Sequence, residues 1–133
     1  MNCPFCKTSL EEHKAGNCLD AWIAKLIGCK VIKQGGPYFC GCLTQDDIND
    51  GASFGPHDDG DALCPKLKKY SNYILAAWGL VDYMVAKQYL ISLIWNGLVW
   101  DCKIGHLNKK TKTYASDAKC PEAITKAAIA AME

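Results

Sequence analysis

The sequence predicts an α+β sandwich in which helices cover a largely antiparallel sheet, with the elements in the order α-β-β-α-β-β-β-α. The main observation is the stretch from Tyr70 to Ile104, where apolar residues spaced three and four apart give way to alternating ones, so that a helix leads into a β-hairpin. In addition, half of the 133 residues are apolar, which is enough for one core. We therefore expect residues 1–133 to form a single domain.

The first part of the chain predicts one helix and two short strands. Residues 18–27 have helical spacing, with Asn17 as the expected N-cap and Gly28 as the residue that ends the helix. Residues 30–33 and 38–40 are predicted to pair around a Gly-Gly-Pro turn. The apolar face of the helix is expected to consist of Leu19, Trp22, Ile23, Leu26 and Ile27.

A second helix is predicted over residues 71–87. Ser71 is the expected N-cap, because its hydroxyl can accept a hydrogen bond from a backbone N–H one turn later. We expect Trp78 to lie in the core, together with Trp95 and Trp100 of the hairpin. The buried face of this helix is predicted to comprise Ile74, Ala77, Trp78, Val81 and Val85.

The hairpin is predicted to turn at Asn96-Gly97, a pair that is typical of a two-residue type I′ loop. The expected partners are Trp95 with Leu98, Leu93 with Trp100, Ile91 with Cys102 and Tyr89 with Ile104. These side chains share one apolar face, which we expect to be buried. The outer face is only partly apolar, since it carries Leu90, Ile94 and Val99. A homodimer that covers this face is an open alternative.

The remaining chain adds one strand, one helix and one long loop. Residues 111–115 are predicted as the last strand, and Pro121 starts a helix that continues over 122–132. Residues 41–66 have no periodic pattern, so we interpret them as an inserted acidic loop. Residues 1–14 are interpreted as a tail that carries a cysteine knuckle.

Composition narrows the class of protein. No apolar run reaches the roughly 18 residues of a membrane span, and the N-terminus lacks a signal-peptide pattern, so we expect a cytosolic protein. In a reducing cytosol the nine cysteines are expected to be thiols or metal ligands rather than disulfides. The sequence contains lysine but no arginine, which argues against base-specific nucleic-acid binding, since that favours the arginine fork.

The cysteines at the N-terminus suggest a structural zinc site. A C-x-x-C knuckle and a C-x-C turn can bring four thiolates onto one tetrahedral ion, and the predicted ligands are Cys3, Cys6, Cys40 and Cys42. His57 and Cys64 are alternative ligands, and His13 is a weaker one. The other interpretation, which stays equally open, is a set of reduced free thiols.

Two charged clusters are candidate binding surfaces. The acidic residues of the long loop do not fit a calcium-binding EF-hand, and we interpret them as a solvated or protein-binding surface: Asp46, Asp47, Asp50, Asp58, Asp59 and Asp61. Lys66, Lys68 and Lys69 precede a predicted helix and could contact a phosphate or a nucleotide. An ordinary solubilising surface is the alternative for these lysines.

Three helical segments carry a family resemblance: residues 15–24 with Gly28, then Tyr70-Ser71 with Ala76-Ala77-Trp78, and Pro121-Glu122-Ala123-Ile124 with Ala127-Ala128. In order and spacing they resemble the phage ABA sandwich domain over about residues 15–133, apart from the insert between Tyr38 and Tyr70. The resemblance implies the sandwich fold, a tailed-phage origin and an accessory role in the cytoplasm of the host bacterium. It implies no particular activity.

The sequence shows no catalytic triad, nucleotide-binding glycine loop or paired catalytic carboxylates, so we expect a binding protein and not an enzyme. The leading hypothesis is a counter-defence protein that inhibits a host antiviral system such as CRISPR by binding a protein or by sequestering a nucleotide signal. The alternative is a zinc-stapled adaptor in phage replication or assembly. An enzyme with a site near Lys68, Lys69 and Asp101 is a third option.

Overall fold

The computed structural model describes residues 1–28, 31–33, 38–40 and 69–133. Within them, the elements follow the predicted order and alternation of helices and strands. They are α1 (Asn17–Leu26), β1 (Val31–Lys33), β2 (Tyr38–Cys40), α2 (Ile74–Ala86), β3 (Tyr89–Trp95), β4 (Trp100–His106), β5 (Lys109–Asp117) and α3 (Cys120–Met132).

The strands form two antiparallel sheets. β1 and β2 make a two-stranded sheet, while β3, β4 and β5 make a three-stranded sheet in chain order. With its three helices, the described part of the chain is the α+β sandwich that the sequence predicts. β5 extends beyond the predicted strand at both ends.

Helix α3 lies at the centre of the described part of the chain. It packs against β4 and β5 on one side and against α1 and α2 on the other. Because both sides are covered, all residues from 122 to 129 are buried. Pro121 sits in the first turn, as predicted, where a missing N–H costs nothing.

One polar cluster is buried beside this helix. The Lys126 ammonium lies 3.0 Å from the Asp117 carboxylate of β5 and 3.3 Å from that of Glu122, and it donates to the Glu11 carbonyl at 3.5 Å. Desolvation and then the neighbouring Asp117 raise the pKa of Glu122. The cluster ties the N-terminal segment to both α3 and β5.

Helix α1 has the predicted buried face, but its N-terminus differs. Leu19, Trp22 and Ile23 are fully buried, and Gly28 follows the helix with a φ of 99°, as expected of a residue that ends it. The N-cap is Gly16, and the prediction that Asn17 caps the helix is wrong. The Asn17 side chain instead donates from Nδ2 to the Tyr38 carbonyl at 3.0 Å and accepts at Oδ1 from the Tyr38 N–H at 2.6 Å.

Helix α2 begins later than predicted and buries another face. Ser71 is not its N-cap, since the helix starts at Ile74 after Tyr73. The buried residues are Ala77, Leu80 and Met84, whereas three residues of the predicted core face are about half exposed: Ile74, Trp78 and Val85. The reason is that this helix is apolar on nearly every side, so periodicity does not distinguish one face.

The hairpin between β3 and β4 has a longer loop than predicted. The strands pair Trp95 with Trp100, Leu93 with Cys102 and Ile91 with Ile104, and residues 96–99 form the loop. The Asn96 side chain stabilises it by accepting from the N–H groups of Leu98 at 2.9 Å and Val99 at 3.0 Å. This shift of two residues keeps Ile91, Leu93, Cys102 and Ile104 on the predicted inner face, because side chains alternate with a period of two. The prediction that Leu98 shares this buried face is wrong, since Leu98 lies in the loop and is 84% exposed.

The tryptophans of this hairpin lie less deep than predicted. Trp100 is partly buried and packs against the core, whereas Trp95 is 51% exposed, so its expected place in the core is wrong. The two rings still contact each other, with centroids 5.5 Å apart.

In the described part of the chain, no helix combines the length and the apolar character that crossing a membrane requires.

Candidate metal centre

The first ten residues fold back on themselves in a tight knuckle. The Cys3 amide donates to Thr8 at 2.9 Å, the Lys7 amide donates to the Cys3 carbonyl at 3.0 Å, and Lys7 adopts a positive φ of 66°. The Phe5 amide points at the Cys3 sulfur, 3.4 Å away. A backbone that turns this sharply between two cysteines directs both thiols toward one point.

Four side chains converge at that point: Cys3, Cys6, His13 and Cys18. Their ligand atoms all lie within 4.8 Å of one another. The Sγ atoms of Cys3 and Cys18 are 3.6 Å apart, and Cys6 Sγ is 3.4 Å from His13 Nε2. Ligands of a tetrahedral zinc ion are separated by roughly 3.5–3.8 Å, from Zn–S and Zn–N distances of about 2.3 and 2.0 Å. The cluster therefore has the size of a site that could hold a metal ion.

The His13 ring has the orientation of a metal ligand. Its Nδ1 lies 2.9 Å from the Lys14 carbonyl oxygen, which can only accept, so Nδ1 carries the proton. This leaves the lone pair of Nε2 directed at Cys6 and into the cluster. An imidazole that donates from one nitrogen to a carbonyl and offers the other is the usual arrangement around protein-bound metals.

The pKa values of Cys6 and Cys18 are shifted in opposite directions. Hydrogen bonding to Thr8 is the main cause that lowers the pKa of Cys6 to about 6. Desolvation, together with Cys3 and Cys6, raises the pKa of Cys18 to about 12. Three thiolates this close repel one another unless a cation compensates their charge, so a divalent ion would favour the ionised form of all three.

Cys18 is held in place by the start of α1. The Gly16 amide donates to the Ser71 hydroxyl at 2.9 Å. Asp20 Oδ1 accepts from the Ser71 hydroxyl at 2.7 Å and from its amide at 2.8 Å. Asp20 is 2% exposed, and desolvation, opposed by the bonds to Ser71, raises its pKa to about 6. These bonds fix the first turn of α1 against the segment before α2.

The structure brings together half of the predicted metal ligands with two other residues. Cys3 and Cys6 are joined by His13, which the sequence offered only as a weaker ligand, and by Cys18, which was interpreted only as the first residue of a helix. The spacing C-x2-C-x6-H-x4-C within residues 3–18 was the signal that could have identified both. Cys40 lies at the end of β2, but its side chain is outside the described part of the structure.

Most other predicted site residues lie outside the described residues. These are Cys42, His57 and Cys64, the six aspartates between 46 and 61, and Lys66 and Lys68. Lys69 is exposed. Desolvation raises the pKa of Asp20 overall, and the positive charge of Lys69 lowers it. Asp101 of β4 is partly buried, and its Oδ2 accepts from the Asn96 side-chain Nδ2 at 3.1 Å. The predictions for these residues as ligand contacts stay predictions.

The described residues thus define a small α+β sandwich with an N-terminal cluster of one histidine and three cysteines that could hold a metal ion. Residues 21–129 match the model of the phage ABA sandwich domain, and the chain belongs to that family. Comparisons with curated proteins and with solved structures gave no match. All four cluster residues precede residue 21, so the candidate metal centre lies outside the matched region.

Proposed function

We propose that the protein is a non-enzymatic phage accessory protein that binds a partner, and that its N-terminal segment folds around a structural Zn²⁺. The observation that supports this proposal is the convergence of Cys3, Cys6, His13 and Cys18 within 4.8 Å. Three thiolates and one imidazole are a typical zinc ligand set. Four protein ligands close the coordination sphere, which favours a structural role over a catalytic one.

Native mass spectrometry of protein purified without chelator tests the zinc and its ligands together. We expect one zinc per chain, lost in Cys18→Ser and in His13→Asn. Cys40→Ser and Cys42→Ser are matched controls, because they belong to the ligand set that the sequence predicted, and they should retain the metal. Loss of zinc in these two variants, with retention in Cys18→Ser, would replace the proposed set by the predicted one. A wild-type chain at its bare mass would overturn the zinc proposal.

The proposed partner is a component of a host antiviral system in the bacterial cytoplasm, inhibited either through a protein or by sequestering a nucleotide signal. Membership of a phage family supports an accessory role. The protein-binding surface would be the acidic segment that contains Asp46, Asp47, Asp50, Asp58, Asp59 and Asp61. Clustered carboxylates can occupy a basic groove by charge complementarity.

Plating efficiency separates this role from the alternative one. Deleting the gene should reduce phage growth only in hosts that carry the antiviral system. If the target is a protein, a variant with the six aspartates changed to asparagine should behave like the deletion. The alternative, a zinc-stapled adaptor in replication or assembly, is favoured by the closed ligand set. It predicts a smaller burst in hosts without any such system. Unchanged growth in all hosts would contradict both roles.

A further inference from the structure

Two aromatic rings lie beside the candidate metal centre. Phe5 stands in the knuckle between two of the cluster cysteines, and its ring centroid is 4.7 Å from that of Tyr38 in β2, with an angle of 45° between the planes. Both side chains are only partly buried. The two bonds from Asn17 to the Tyr38 backbone fix β2 to the residue next to Cys18. The metal cluster and the aromatic pair are therefore positioned together.

Exposed lysines surround this pair. Lys25 Nζ lies 5.8 Å from the centroid of the Phe5 ring, and Lys33 Nζ lies 5.6 Å from that of Tyr38. Lys7 and Lys14 are also exposed and flank the cluster in the N-terminal segment. The result is a surface that combines two aromatic rings with several exposed positive charges.

We propose that this aromatic–lysine surface, formed by Phe5, Tyr38, Lys25 and Lys33, binds a nucleotide. A base would stack against the aromatic pair while its phosphate is taken by the lysines, which are the two elements of sequence-tolerant nucleotide binding. Lysine acts as a point charge on phosphate without reading a base edge, so the lack of arginine does not conflict with this role. The proposal rests on the proposed zinc site, since the knuckle positions Phe5.

The ligand chemistry is a nucleoside phosphate, which occurs free or within a single strand. The first probe is a fluorescently labelled single-stranded oligouridylate of about 12 nucleotides, followed by anisotropy at low salt. The second is a cyclic diadenylate, followed by calorimetry. Binding of the strand alone indicates a polynucleotide ligand, and binding of the cyclic dinucleotide alone indicates a free signal; either result supports the proposed surface. If zinc-loaded wild-type protein binds neither probe, the proposal is wrong.

The variants test the surface itself. Tyr38→Ala should weaken binding of the active probe by roughly 10- to 100-fold through lost stacking. The double variant Lys25→Glu/Lys33→Glu should weaken it by roughly tenfold and reduce its dependence on salt. Lys87→Glu is the matched control, because Lys87 Nζ lies 5.7 Å from the Tyr83 ring in the same kind of contact on α2. Equal losses in the control and the double variant would overturn the proposal.

Zinc content, measured on every variant by native mass spectrometry, keeps the two proposals apart. We expect each surface variant to retain its zinc while it loses nucleotide affinity. If the lysine variant instead loses zinc, the lysines serve to balance the thiolate charge and the nucleotide proposal fails, while the metal proposal stands. If wild-type protein lacks zinc but binds a probe that Tyr38→Ala does not, the metal proposal fails and the surface is retained.

Discussion

Replacing Asp20 by alanine should destabilise the protein through one identifiable pair of hydrogen bonds. Asp20 Oδ1 accepts both the Ser71 amide, at 2.8 Å, and the Ser71 hydroxyl, at 2.7 Å. Asp20 is 2% exposed and Ser71 is fully buried, so water cannot replace the lost acceptor. The carboxylate is thus the link between the first turn of α1 and the segment that leads into α2.

The expected loss of stability depends on whether the Ser71 hydroxyl and the Ser71 amide can find another acceptor without Asp20. The Ser71 hydroxyl can turn to the Gly16 carbonyl, which lies 3.4 Å away, so its loss is small. The Ser71 amide cannot move, and an unsatisfied buried donor costs about 1–3 kcal/mol. Together with the small cavity, we expect Asp20→Ala to lower the free energy of unfolding by about 2–3 kcal/mol.

The matched control is Asp20→Asn. Both hydrogen bonds reach the same oxygen, and an asparagine Oδ1 could accept both, so this variant should lose no more than about 1 kcal/mol. Urea unfolding of both variants at neutral pH, with zinc content checked by mass spectrometry, measures the difference. If alanine and asparagine cost the same, or if alanine costs less than about 1 kcal/mol, hydrogen bonding by Asp20 does not hold this junction.

Three further outcomes can be checked by urea unfolding. Lys126→Met should cost about 3 kcal/mol near pH 7, because two nearly buried carboxylates lose their cation. The raised pKa of Glu122 means that its contribution to stability is present at acidic pH and is lost as the pH rises through that pKa. The cost of Lys126→Met should therefore become smaller as the pH is lowered, and a larger cost at acidic pH would contradict this reasoning. Trp22→Ala should lower the free energy of unfolding by about 3–5 kcal/mol, because Trp22 is fully buried. Trp78→Ala should lower it by about 1 kcal/mol or less, because Trp78 is 52% exposed. Equal losses in the two variants would contradict this packing. Asn96→Ala should cost about 1 kcal/mol through the two loop amides it leaves without an acceptor, and an unchanged midpoint would show that the loop does not depend on them.

The element order was predictable because the sequence marks its boundaries strongly. Gly28 ends α1, Pro121 starts α3, and the change from helical to alternating spacing near Gln88 separates α2 from β3. Gln88 itself has a positive φ of 69°, as expected at such a sharp junction. These signals are local, so they do not require knowledge of what each element packs against.

The buried face of α2 could not be predicted for the opposite reason. Trp78 and Val85 are as apolar as Leu80 and Met84, and only the position of α3 decides which pair is covered. The hairpin loop shows a related limit, because Asn96 satisfies two loop amides with its side chain and makes a four-residue loop favourable. The Asn96-Gly97 pair predicts the turn, but the pattern does not reveal this competing use of the Asn96 side chain.

The candidate metal centre was half predictable. The knuckle of Cys3 and Cys6 is recognisable from its spacing alone, because two residues between cysteines fix the direction of both thiols. Completing the set needs the path of the chain after the knuckle, which brings His13 back and places Cys18 in the first turn of α1. The long-range set with Cys40 and Cys42 stays a prediction, whereas the local set closes a smaller loop at lower entropic cost.

The proposed zinc ion would have a second consequence beyond folding the N-terminal segment. Residues 21–129 carry the family match, and the described part of that region contains α3, which packs against both helices and strands and is buried from residue 122 to residue 129. The N-terminal segment before residue 21 supplies few large buried side chains. It is attached through polar hydrogen bonds, such as those of Asp20 with Ser71 and of Asn17 with Tyr38. A segment this short rarely orders itself without a metal or a disulfide. Because Phe5 belongs to the N-terminal segment and Tyr38 to the sheet beside it, the aromatic–lysine surface proposed to bind a nucleotide crosses the boundary between them. Removal of zinc should therefore separate the two rings and abolish nucleotide binding while the apolar core stays folded.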